Sequence, residues 1–201
     1  MPAEVIDLAI GNRDDNLKRA IAYLEDAFHV RTEQSLPWEW AMTVNNLGNA
    51  YLNLPSGNHD ANLKIAIGYY KSALRVRTEQ AFPFDWAGTM NNLALAYSQL
   101  TTGDRTENTR NAMTCYESCL RVYTEQAFPE RWASTQVNLG EANRCNPSGD
   151  HEANLKCAIG YYEAALRVFT EQSYPHQWAG TQSNLSLANF YLLCWMKRQP
   201  C

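Results

Sequence analysis

Four asparagines, Asn46, Asn92, Asn138 and Asn184, stand 46 residues apart. A primary amide offers two donors and an acceptor, so it can grip a peptide backbone without reading its side chains. Stacked one per repeat, four of them could track an extended peptide. They could equally hydrogen-bond neighbouring helices and hold an array together, and the spacing leaves both readings open. Asn45, Asn91 and Ser183 lie beside them; Asn49, Leu95, Glu141 and Leu187 follow about one helical turn later.

Other chemistry is thin. His29, His59, His151 and His176 are scattered, and the chain holds no H-E-x-x-H, no phosphate-cradling G-x-x-x-x-G-K-S/T and no G-x-S-x-G. No catalytic residue is nominated, and a non-enzymatic chain without a cofactor is expected. None of the six cysteines forms a C-x-x-C pair. Cys115 and Cys119 share a helical face, but two thiolates fall short of the four ligands of a structural zinc site. No metal is expected; reduced cysteines in small or surface positions are.

Seventeen basic against 21 acidic residues leave a net charge of −4, which argues against a general nucleic-acid binder. Lysines and arginines form no repeated stripe that a single strand could follow. The 45% apolar content is enough for a core, so wholesale disorder is excluded. No basic stretch precedes an apolar one at the start, and the most apolar segment, Leu185–Met196, is interrupted by Ser186 and Asn189. It falls short of the ~20 residues that cross a bilayer. A soluble cytoplasmic protein with no membrane partner is the expectation.

The chain is an array. Thr-Glu-Gln recurs at Thr32, Thr78, Thr124 and Thr170, again 46 residues apart, and the same spacing links Pro37, Pro83, Pro129 and Pro175. It also links Trp40, Trp86, Trp132 and Trp178, and Gly11, Gly57, Gly103 and Gly149. Asn62–Gln80 matches Asn154–Gln172 at 15 of 19 positions, differing only at Ile65, Lys71, Ser72 and Arg77. Such a period marks a stack of supersecondary units.

Each unit reads as two helices. The first runs from Asp60 to about Ala81, burying a stripe through Leu63, Ala66, Ile67, Tyr70, Ala73 and Leu74. The second starts at Pro83, whose missing N–H costs nothing in a first turn, and carries Trp86, Met90, Leu93, Ala94 and Tyr97 on one face. Gly103 breaks the chain and Asp104 is the expected N-cap of the next helix. The Thr-Glu-Gln triplets, at helix ends before a proline, read as turn stabilisers. The tryptophans read as packing between units.

Leu47-Gly48-x-x-Tyr51 followed by Ala66-x-x-x-Tyr70-x-x-Ala73 resembles the tetratricopeptide repeat. The pattern recurs as Leu93-Ala94-x-x-Tyr97 with Ala112, Tyr116 and Cys119, and as Leu139-Gly140 with Ala158, Tyr162 and Ala165. The period is 46 against the usual 34, and the tryptophan lies seven before the leucine rather than three. The units therefore look like a long subtype, similar to repeats of kinesin light chains and to bacterial arrays attached to caspase-like CHAT proteases or signalling ATPases.

The resemblance implies an all-α fold, a right-handed α-solenoid of antiparallel helix pairs, as a single repeat domain over 1–201. It would have a partial first unit at 1–11, where Val5–Ile10 align with a helix end, then seven or eight helices and an atypical end at 186–201. It also implies that the second helix of each pair lines a concave face. Asn45, Asn46, Asn49, Asn91, Asn92, Asn138, Glu141 and Asn184 would then face a protein or extended-peptide partner. Chaperone-binding members add cations that clamp a terminal carboxylate; Met42, Gly88, Ser134 and Gly180 stand at the matching positions, so that clamp is not expected. The alternative role is a regulatory or sensor arm of a larger protease or ATPase effector.

The last helix runs into Phe190, Leu193 and Trp195, where earlier units place a polar turn. Either it continues and packs on its own unit, or its apolar end binds a second copy, giving a homodimer through the C-terminal helix, or another domain. Membrane contact is the remaining alternative.

Overall fold

The computed structural model describes residues 12–197, and those residues are all helix and connection, with no strand among them. Eight helices follow one another: α1 Arg13–Val30, α2 Pro37–Leu52, α3 His59–Ala73, α4 Pro83–Gln99, α5 Arg105–Cys119, α6 Pro129–Arg144, α7 His151–Leu166 and α8 Pro175–Met196. Two compact units divide the chain, 1–101 with α1–α4 and 102–201 with α5–α8. None of the described helices is long and apolar enough to cross a membrane. The segment 1–11 and the residues from 198 onward, on which the partial first unit and the extreme end were placed, lie outside the described residues.

Two kinds of helix start alternate. The odd-numbered helices carry side-chain caps: Asn12 accepts from the Asp14 N–H at 3.1 Å, Asn58 from Ala61 at 2.9 Å, Asp104 from Thr106 at 2.8 Å and Asp150 from Glu152 at 2.9 Å. Each satisfies a donor that the first turn leaves unpaired. The even-numbered helices have no side-chain cap and begin with proline.

The first helix of the pair stops earlier than its periodicity suggests. α3 ends at Ala73, not near Ala81. The Arg75 and Val76 N–H groups reach back only three residues, to Ser72 and Ala73, each at 3.1 Å, and this tight last turn closes the helix. Thr-Glu-Gln therefore lies in the connection rather than on the helix. There the Thr32, Thr78, Thr124 and Thr170 hydroxyls accept from the backbone N–H three residues on, at 3.1–3.2 Å, shaping the turn into the proline.

Gly57, Gly103 and Gly149 turn the chain between units at φ of 83°, 87° and 80°, a conformation open to glycine at no steric cost. Asn62, Asn108 and Asn154 lock these turns by donating to the carbonyls of Ser56, Thr102 and Ser148 at 2.9, 3.1 and 2.8 Å.

Paired helices run antiparallel. Trp40, Ala41 and Val44 at the start of α2 meet Ala73 at the end of α3, with Tyr69 and Val76 packed over them. Midway, Gly48 lets Tyr70 lie against the helix: a Cβ there would stand 2.6 Å from the ring. Gly140 does the same for Tyr162, at 2.5 Å. Both tyrosines are fully buried, a burial worth roughly 1.5–3 kcal/mol for a side chain of this size. Ile21 of α1 joins Leu47 and Ala50 of α2 in the adjoining cluster. In the second unit Ala158 and Tyr162 of α7 close on Ala188 of α8.

Candidate ligand-binding surface

The asparagines divide by what the neighbouring helix offers them. Asn46 is exposed on α2 and opens into a cleft of about 630 Å³ between α1 and α2, lined also by Arg13, Asn16, Asn49 and Asn53. A second cleft of about 510 Å³ joins α2, the turn after it and α4. Its polar lining is Arg13, Asn49, Asn53, His59, Asn92 and Gln99; Leu52, Leu54, Pro55 and Leu95 supply the apolar wall. Asn49 borders both clefts. Its Oδ1 accepts from the Tyr70 hydroxyl and from the Asn92 amide, each at 2.9 Å. Asn92 is thus part of the bond between α2 and α4, and it also lines this cleft.

Asn45 does not belong to this surface. It is buried, and its Oδ1 lies 3.1 Å from the Thr89 hydroxyl, which accepts in turn from Arg77 Nη1 at 3.1 Å. The ladder position one residue earlier points inward because adjacent helical residues diverge by about 100°. Burial pulls the Arg77 guanidinium below its ordinary range, and Asp85, 3.9 Å away, opposes that shift.

In the second unit Glu141 is committed as well. It accepts from the Tyr162 hydroxyl at 3.1 Å, the Cys145 thiol at 3.3 Å and Arg144 Nε at 3.0 Å. Burial pushes its carboxyl up, but these donors and the Arg144 charge outweigh burial and hold it below the ordinary carboxylate value. The Glu141 contact holds Arg144 protonated far beyond its usual range. Asn91, Asn138 and Asn184 are half-buried. Asn46, Asn91, Asn138 and Asn184 make no side-chain hydrogen bond among the described residues, and they remain the amides open to a ligand.

At the end of α8, Phe190 and Leu193 are 59% and 60% exposed. Trp195 is not part of that patch. Its ring packs edge-on against His151 at 5.0 Å, because a position two beyond Leu193 comes round to the opposite side of the helix. The helix continues and packs partly on its own unit, leaving a narrower apolar face than the three residues together would make.

The repeated tryptophans serve packing. Trp40, Trp86 and Trp132 are buried, and Trp178 is half-buried. Reading by residue type missed a bracket between successive repeats. Arg75 pairs with Glu33 at 2.6 Å and lies 5.2 Å over the Trp40 ring. Arg167 grips Glu125 through Nε at 3.1 Å and Nη2 at 2.7 Å, 5.2 Å over Trp132. The signal was present: an arginine trails Glu33, Glu79 and Glu125 by 42 residues, at Arg75, Arg121 and Arg167.

Cys115 and Cys119 are buried in α5, and burial pushes the Cys119 thiol up to about 12. No group of three His, Cys, Asp or Glu among the described residues is arranged to hold a metal ion. Comparison with protein-family models finds no match, and comparison with curated proteins finds none either.

Proposed function

We propose that this chain is a non-enzymatic, tetratricopeptide-like scaffold that binds protein or extended peptide through the amide-lined surface of its even-numbered helices. The observation that supports this reading best is the pair of clefts meeting at Asn49. Amides of Asn46, Asn53 and Asn92 and the Arg13 guanidinium converge there beside apolar walls from Leu17, Ala20, Leu24 and Leu95. Asn53 and Asn92 each donate to Asn49, whereas Asn46 makes no side-chain hydrogen bond among the described residues, and such an open amide suits the alternating N–H and C=O groups of an extended backbone. The apolar walls offer room for side chains along it. No nucleophile or acid–base pair lines either cleft in a geometry that suggests turnover.

The test is a random peptide library displayed on phage and panned against the whole chain. Selected peptides are then titrated against wild type, Asn46→Ala and Asn138→Ala. Neither amide bonds a neighbouring helix, so their loss should spare the fold, checked by circular dichroism. Loss of one good amide contact in a desolvated groove should weaken binding about tenfold. Selected peptides that bind both variants with unchanged affinity would move the site off this surface.

A further inference from the structure

The last helix, α8, presents a face that its counterparts bury. Ala41 and Ala133 are fully buried, whereas Ala179, at the same repeat position, is exposed. In the first unit the cover over Ala41 comes from the following helix and the turn after it: Tyr69, Ala73 and Val76. At the other end of the chain, α1 carries the equivalents of those covering residues, and they are unused. Tyr23 and Val30, matching Tyr69 and Val76, are 73% and 75% exposed, the two most exposed large apolar side chains described.

We propose that α8 of one copy receives α1 of a second copy, in the geometry that joins α2 to α3, so that the chains associate head to tail. Two substitutions in the repeat pattern fit this occupant. Tyr70 and Tyr162 press on Gly48 and Gly140, where a Cβ would stand 2.6 and 2.5 Å from the ring. The α8 equivalent is Ser186, which carries that Cβ, and the α1 equivalent of the tyrosine is the shorter Leu24.

Charge agrees. Glu33 and Glu125 each hold an arginine 42 residues further on. Glu171 is their exposed equivalent and has no ion pair among the described residues, and the position it would meet on α1 is His29. The contact is heterologous, with different surfaces on the two partners. It grows into open chains unless its rotation closes a ring.

Sedimentation velocity of the full chain tests this, over about a hundredfold range of concentration, since self-association follows mass action. Wild type should pass beyond a dimer as concentration rises. Ala179→Glu destroys only the α8 face and Val30→Asp only the α1 face; both sites are exposed, and circular dichroism verifies that each variant folds. Each variant alone should stay monomeric, while an equimolar mixture should form one dimer and stop, because one intact face of each kind remains. A wild type that stays monomeric overturns the proposal. So does a wild type that stops at a dimer, a variant that keeps the parent's mass distribution, or a mixture that remains monomeric.

Discussion

Arg75 Nη2 lies 2.6 Å from Glu33 Oε2 across 42 residues of sequence, and its guanidinium covers the Trp40 ring at 5.2 Å. The second unit repeats the arrangement with Arg167, Glu125 and Trp132. Thr-Glu-Gln thus has a divided role: threonine shapes the turn, and glutamate ties one repeat to the next. A motif that recurs with the repeat can serve the repeat itself, and here it does.

Removing one bracket measures its worth. The Arg167 and Glu125 side chains are 59% and 33% exposed, so solvent screens the pair. Arg167→Ala should lower the unfolding free energy by about 1 kcal/mol in urea titration, combining a two-pronged ion pair with a cation–π contact. Arg167→Lys should recover less than half, since an ammonium cannot reproduce the fork. Full recovery by lysine would show that charge alone matters.

Glycines separate into those that admit a neighbour and those that do not. Gly140→Ala drives a Cβ into the Tyr162 ring and should cost about 1–3 kcal/mol. Gly160→Ala, in the interior of α7 with nothing within 4 Å, should stabilise by about 0.5–1 kcal/mol through helix propensity. Thermal midpoints moving in opposite directions would establish the contrast. A shift of the same sign in both would remove the close approach of Tyr162 as the reason for Gly140.

Acid should unpick the second unit at Glu141. The folded carboxyl sits below its ordinary value of 4.5, so its stabilisation is fully present above the unfolded pKa. That contribution disappears as the pH falls through the lower, folded value. Glu141→Gln should therefore be less stable than wild type at neutral pH, and the gap should narrow on acidification below about pH 4.5. A gap independent of pH would mean that geometry, not ionisation, carries the contact.

Thiol alkylation should follow burial. At pH 8 iodoacetamide should modify exposed Cys157 well before Cys119, whose thiol is buried, held near 12 and turned toward the Cys115 carbonyl at 3.2 Å. Mass mapping of the modified peptides reads the order, and denaturant should erase the difference. Equal rates in the native chain would place Cys119 at the surface.

The repeat by itself determined the helical architecture and most of its boundaries. Proline starts, Asp104 as an N-cap and Gly57, Gly103 and Gly149 as turns are local choices, encoded by backbone conformation and by donors within a few residues. The end of α3 was less legible, because its apolar stripe continues past the turn that closes it. The fate of each asparagine was legible only as a pair of alternatives. Asn45, Asn46 and Asn49 share one helix and the same kind of side chain, yet one is buried on Thr89, one stays exposed and one bridges Tyr70 to Asn92. Only the tertiary structure decided among them: whether an amide is spent or available depends on the groups that neighbouring helices bring within hydrogen-bond distance.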